Sequence, residues 1–299
     1  MTMYRSQSGE ARDSNASIAE ERDIGLKYLP KTFEMVPYVI ITIGGFLGWL
    51  AMFPLTMTGL APLWVGFVYS TVFACACFIL SHEAMHGNIG RPGTPMRFWN
   101  EVTGQVATII IIFPFAMARL MHLEHHRHCN DPENDPDYAD DGRNAFDALY
   151  KTWLNRQPGP TNSIHHYRRV VTRIGTVQAK FALRQTLLLR LFALSVMFVM
   201  CWTGYAFHAA LLWWLPCHIG TSYIRFWLSW APHHPRDGRG RYDNTVLFKS
   251  KAGHWLSMGM QYHLIHHLCP WIPNHRTKDA FEEMRPLLEK RGIDCSVLN

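Results

Sequence analysis

From Met35 to His82 the chain carries not one Asp, Glu, Lys or Arg, and a second charge-free stretch runs from Leu191 to Ile224. A membrane-crossing helix needs only about 20 predominantly apolar residues, and each stretch exceeds that. In a bilayer no water pairs with open N–H and C=O groups, so such segments satisfy their backbone as helices. The mean hydropathy of -0.07 hides this, because it averages strongly apolar blocks with polar ones. The sequence therefore predicts an all-α integral membrane protein. Four spans can be drawn, at roughly 35–57, 60–80, 187–207 and 209–230, each near the length a bilayer requires. Very short connections at Thr58-Gly59 and Phe207-His208 join them into two hairpins.

Charge orients the hairpins. Arg5, Arg12, Arg22, Lys27 and Lys31 precede the first span, the remaining Lys and Arg follow the second or the fourth, and neither hairpin tip is charged. By the positive-inside rule both termini and the central segment face the cytoplasm. Residues 1–34 are then a cytoplasmic N-terminal segment and 35–299 one membrane domain. Arg190 and Arg225, near span ends, are placed to snorkel toward that face or to hold an anionic head group. The polar, mixed-charge first 34 residues give no expectation of a removable signal peptide. Seven cysteines with no CxxC pair argue against a disulfide framework or a zinc ribbon. The basic stretch His165-His166-Tyr167-Arg168-Arg169 reads as a face toward anionic lipid head groups, so the net charge of +6 needs no nucleic acid.

One apolar segment, 102–118, does not fit the count. It is uncharged and contains Ile109-Ile110-Ile111-Ile112, yet Pro114 interrupts it and Thr103, Gln105 and Thr108 make its start polar. A full crossing would put its flanks on opposite sides of the membrane. It reads as a re-entrant or interfacial helix pair, and the histidines give the reason.

Of 17 histidines, eight fall in three groups: His82 and His86 in HEAMH; His122, His125 and His126 in HLEHH; His263, His266 and His267 in HLIHH. Residues at i, i+3 and i+4 share one helix face, about 5–6 Å apart, so each group can aim its imidazoles at a common point. HEAMH alone matches HExxH, in which two histidines hold zinc and the glutamate activates water. That reading, a membrane zinc protease with Glu83 as base, leaves both HxxHH groups unexplained. With 102–118 re-entrant, all eight histidines face one compartment at the membrane surface. One zinc is satisfied by four ligands, so eight imply two metals, and an imidazole-rich pair of metals beside an apolar layer suits redox chemistry on a hydrocarbon. A heavy-metal binder without activity is the third class.

HEAMH, HLEHH and HLIHH, in this order among the hairpins, resemble the three histidine boxes of the membrane fatty acid desaturase superfamily, which includes acyl desaturases and carotene-hydroxylase-like enzymes. The resemblance covers roughly 81–276. It implies a cytoplasmic helical cap carrying the boxes, a non-haem di-iron site that activates O2, and hydrogen abstraction from an unactivated C–H bond. The eight box histidines carry over as metal ligands. A ninth is expected upstream of the third box, where Ala231-Pro232-His233-His234-Pro235 offers His233 or His234. Asn130-Asp131-Pro132 and Pro270-Trp271-Ile272-Pro273 also look family-like; Asp131 and Asp135 read as turn residues, with histidine-orienting partners as the alternative. Fatty acyl desaturation is the implied activity, with hydroxylation of a carotenoid or other lipid as the alternative. No cytochrome-type HPGG or flavin fingerprint is present, so electrons come from an external ferredoxin- or cytochrome-like donor. His208, His218, His254 and His275 read as structural and His128 as a surface residue or a support to the ligands; Cys75 and Cys77 read as packed thiols, Cys129 as a solvated or packed thiol with a place near a metal as the alternative, and Trp213, Trp214, Trp227 and Trp230 as belt or packing residues, with a tunnel lining as the alternative.

Overall fold

A computed structural model describes residues 15–157, 159–160, 162–250 and 256–298. Arg5, Arg12 and His254 lie outside the described residues. Among the described residues every regular element is helical. After α1 (Asn15–Lys27) come α2 (Thr32–Met57) and α3 (Leu63–Met85), joined by a turn at Gly59, whose φ of 77° suits a residue without Cβ. Two shorter helices follow, α4 (Arg97–Thr108) and α5 (Phe115–His128), and then α6 (Ala145–Leu154), α7 (Ser163–Ile174) and α8 (Val177–Trp202). Three helices, α2, α3 and α8, are long and apolar enough to cross a membrane. Ile40, Val72, Leu191 and Phe198 stand exposed on them, as side chains facing lipid do.

The helix boundaries differ from the hydropathy boundaries. The third apolar helix begins at Val177 rather than 187, because Thr176 caps it by accepting from Ala179 N at 3.2 Å. Hydropathy marks where a bilayer could sit, and Lys180 and Arg184 do not stop a helix. The chain then turns at Thr203 and Gly204, before the expected Phe207-His208, with Gly204 at φ 89°.

The fourth expected span is helical over 206–230 but interrupted. It runs as α9 (Ala206–Ala209), a π segment Ala210–Trp214, α10 (Leu215–Ile224) and a second π segment Arg225–Trp230. Pro216 has no N–H to give the carbonyl four residues back. That carbonyl, Leu212 O, accepts instead from Trp49 Nε1 of α2 at 2.8 Å. α10 also lies directly on α3: a Cβ at Gly220 would stand 2.8 Å from the Ala74 carbonyl.

Over the apolar stretch 102–118 the chain forms two helices, α4 and α5, which extend past it at both ends, so that the second histidine group lies within α5 rather than after the segment. The chain reverses through 109–114, with Ile112 at φ 54° and Pro114 preceding α5. Ile110, at the reversal, is fully buried, and its carbonyl accepts from Trp213 Nε1 at 3.1 Å. Gly104 makes room for the return, since a Cβ there would meet the Phe115 ring at 2.2 Å.

At the end of the bundle where α3 and α5 finish, α11 (His263–Leu268) and α12 (Thr277–Lys290) form a layer over them. Buried Glu21 of α1 fastens it, accepting from Tyr242 Oη at 2.8 Å and Arg291 Nη1 at 2.5 Å and pairing with Arg241.

Candidate metal centre

The last turn of α3 carries His82 and His86, the last two turns of α5 carry His122, His125 and His126, and α11 carries His263, His266 and His267. His233 joins them from the turn after the second π segment. The four elements bring nine imidazoles into two adjoining groups. In the first, Nε2 atoms follow one another from His86 to His122 (2.8 Å), His126 (3.2 Å), His266 (2.9 Å) and His82 (3.1 Å). In the second, His125 and His233 meet at 3.2 Å and His263 and His267 at 3.1 Å. The His233 ring lies 5.0 Å from each of the rings of His263 and His267.

This arrangement cannot be a hydrogen-bond network. An imidazole nitrogen has one in-plane site, either a proton or a lone pair, yet Nε2 of His122, His126 and His266 each has two nitrogen neighbours. A cation removes the conflict by receiving all the lone pairs. Imidazole nitrogens that shared one ion at about 2.1 Å would lie roughly 3.0–3.4 Å apart, close to the 2.8–3.2 Å found here. Donor atoms of His82, His86, His122 and His266 lie within 4.8 Å of one another, as do those of His125, Cys129, His233 and His267. Cys129 nevertheless faces the wrong edge: its Sγ is 3.4 Å from His233 Nδ1, and burial pushes its thiol well up, keeping it protonated.

Protonation states suit ligation. Burial first, and neighbouring imidazoles second, hold His122, His126, His233, His263, His266 and His267 well below the ordinary histidine range. They are neutral at pH 7. For His125, burial pulls down, but the Asp135 carboxylate 2.9 Å from Nδ1 prevails and the net direction is up. Asp135 is fully buried and also accepts from Asn130 N and Asp137 N, each at 2.8 Å. It is thus an orienting partner rather than a mere turn residue. Asp131 is the turn residue, accepting from Glu133 N and Asn134 N. His233 Nδ1 donates to Asn244 O at 2.9 Å, which leaves Nε2 bare toward the cluster.

Glu83 stands beside the cluster rather than within it, its Oε1 3.8 Å from His82 Nδ1. It is buried, with Oε2 accepting from Asn88 Nδ2 at 2.9 Å and Oε1 from Asn274 N at 3.0 Å. Oε1 ties the first histidine group to the segment after the third, and Oε2 holds Asn88, whose amide donates onward to Pro270 O at 3.2 Å; with both oxygens engaged, the general base of an HExxH site has no counterpart here.

The other residues singled out by sequence divide clearly. His234 stacks on Trp230 at 4.6 Å, outside the cluster. His128 leans toward Glu124 at 3.6 Å, His208 on Tyr205, His218 on Trp214, and His275 takes Tyr38 Oη at 3.1 Å. Trp213 and Trp230 donate to backbone carbonyls in the core. Arg236, which sequence reasoning did not single out, is buried and lies 3.5 Å from Asp135 and Asp141. It also donates to Ser229 O and Oγ at 3.2 and 3.0 Å, but no local signal announces it, because its carboxylate partners are about a hundred residues away.

A cavity of ≈ 540 Å³ runs from His122, His125 and His263 past Ile111, Met121 and Leu228 to Trp214. It is of a size that holds a small organic molecule or part of a lipid chain.

The model of the family described as "Fatty acid desaturase" matches residues 58–298. The sn-1 oleoyl-lipid 12-desaturase of Picosynechococcus sp. is 22% identical over 247 residues, covering 76% of this chain and 69% of that protein. The dihydrorhizobitoxine desaturase of Bradyrhizobium elkanii is 24% identical, covering 65% of this chain and 59% of that protein. The temperature-sensitive sn-2 acyl-lipid omega-3 desaturase (ferredoxin), chloroplastic, of Arabidopsis thaliana is 24% identical, covering 75% and 56%. Most of these relatives are thus matched over little more than half their own length.

Proposed function

We propose, on the premise that this chain belongs to the fatty acid desaturase family, that it introduces a double bond into a long acyl chain at the membrane, consuming O2. Membership makes it an oxidoreductase. The observation that carries the finer reading is the double imidazole cluster at the end of an apolar cavity. His82, His86, His122 and His266 would hold one iron and His125, His233 and His267 the other, with His126 and His263 at the seam between them. Iron in such sites supplies the O2-dependent oxidising power needed to remove hydrogen from an unactivated C–H bond.

The chain's own residues do the rest. Asp135 and the Asn244 carbonyl hold the ring orientations of His125 and His233. Glu83 fixes the segment after Pro273 against α3. Ile111, Met121 and Leu228 keep water from the acyl chain and offer it an apolar path.

The membrane arrangement proposed with this activity has four spans, the fourth being the interrupted helix over 206–230, with α4 and α5 re-entrant. Both termini and the histidine end face the cytoplasm, residues 1–34 preceding one membrane domain of 35–299. Electrons come from a separate carrier of ferredoxin or cytochrome type; the name of the Arabidopsis thaliana relative includes ferredoxin.

Expression in a host of defined lipid composition, followed by mass spectrometry of the acyl chains, tests the reading. Loss of two hydrogens supports it, a gain of one oxygen replaces it with hydroxylation, and no change with iron and reductant supplied overturns it.

A further inference from the structure

Of the three arginines that line the cavity, two lack the carboxylate partner that the third has among the described residues. Arg225 lines it but pairs with Asp137 at 2.6 Å. Arg156 and Arg190 line the same space, and neither meets a carboxylate among the described residues. The Arg156 guanidinium donates to His218 O at 3.2 Å and Cys217 O at 3.4 Å, and Arg190 to Ser163 Oγ at 3.3 Å, all neutral acceptors. A guanidinium stays charged under all conditions a protein meets. Half-burying two of them in one cavity is expensive unless an anion is present, and their forked donors match a carboxylate or phosphate.

Their depth matters as well. Arg190 stands 12 residues before Trp202 in α8, and Cys217 stands 11 residues past Ala206. Both levels are thus about 17 Å from the turn of the hairpin. Arg190 is also six residues, about 9 Å, deeper than exposed Arg184. A charge so far into an apolar helix points to function rather than to a surface. About one helical turn nearer the hairpin turn, Leu194 and Trp214 line the cavity while being 65% and 51% exposed, so it reaches the outer surface of the bundle there. Leu228, near the histidines, is 11 residues beyond Cys217, leaving roughly 15 Å along the bundle for an acyl chain.

We infer that Arg156 and Arg190 form an oxyanion subsite in this cavity, and that the acyl chain reaches the histidines as part of an amphiphile whose carboxylate or phosphate they hold. The inference rests on the acyl-chain reading above. Leu194 and Trp214 flank the opening through which the amphiphile passes from the bilayer.

Equilibrium dialysis of the metal-free protein in neutral detergent tests it, with oleate, lysophosphatidate, oleyl alcohol and inorganic phosphate as probes. At least one of the two anionic lipids should bind tenfold or more tightly than the alcohol, and which one does so identifies the head. In the double variant Arg156→Gln/Arg190→Gln the preference should vanish while affinity for the alcohol is kept, which also shows that the protein is folded. The double Lys variant should restore part of the preference. Equal affinity for alcohol and both anions in the parent protein overturns the inference. So does a preference that survives in the Gln variant, or binding of inorganic phosphate with no lipid retained. Anion-selective binding without dehydrogenation of any lipid would remove the function reading and leave this one standing. Desaturation with an unaltered KM in the Gln variant would do the reverse.

Discussion

His125 Nδ1 and Asp135 Oδ1 lie 2.9 Å apart, both buried, in a chain that reverses direction between them. The carboxylate accepts a hydrogen bond from Nδ1–H and so keeps the proton on that nitrogen, leaving the Nε2 lone pair free. Removing such a partner typically lowers metal affinity or activity 10- to 100-fold. Asp135→Asn should therefore fold, retain the first metal and lose turnover by about that factor. Iron content per chain and kcat measured on the same preparation check this.

Acid should destabilise the metal-free protein. His122, His126, His233, His263, His266 and His267 have folded pKa values below their unfolded value of about 6.5. The unfolded chain then binds more protons in this range. Their contribution is present above pH about 6.5 and is lost as pH falls toward the folded values. His125, raised, works the other way, its contribution fading as pH rises through its folded value. With His86, which is lowered likewise by burial and its neighbours, seven against one predicts a lower thermal midpoint at pH 5.5 than at pH 7.5. An unchanged or higher midpoint in acid would contradict the buried, neutral cluster.

Glu83→Gln separates a tether from a base. The amide keeps one acceptor oxygen, so one of the contacts to Asn88 and Asn274 survives, at a cost of about 1–3 kcal/mol. Metal content and measurable turnover should both persist. Complete loss of activity with iron still bound would mean that Glu83 has a chemical role.

The adjacent histidines should behave differently. His233→Ala opens the second group and should halve the iron per chain, while His234→Ala removes only a stack on Trp230 and should leave iron content unchanged. Metal analysis of the two variants side by side decides it.

Gly220→Leu tests the packing of the proposed fourth span. A side chain there meets Ala74 backbone at 2.8 Å, and backbone cannot move aside as a flexible side chain can. Overpacking of this kind costs about 1–3 kcal/mol or more, read as a lower thermal midpoint. Small residues at membrane helix contacts serve this close approach.

How much of this could be read in advance depends on the range of the interaction. The apolar stretches and histidine spacings are local patterns, so the helical class, the apolar helices α2, α3 and α8, and the three histidine groups were legible. The reversal over 102–118 was legible for a different reason: only a helix pair that returns puts HEAMH and HLEHH at one end. The start of α8 was misjudged because a capping threonine, not hydropathy, begins that helix. Arg190 consequently looked like a residue at a span end, whereas it stands in the middle of a helix.

By itself the sequence determined which residues carry lone pairs, on which helix faces, and which segments cannot face water, because those properties belong to the covalent chain and its helical period. Only the tertiary structure decided that His233 rather than His234 meets His125, that Asp135 orients while Asp131 turns the chain, and that Glu83 has both oxygens engaged. Each of those outcomes depends on which way a side chain points among groups up to about two hundred positions away, and no local spacing encodes that direction.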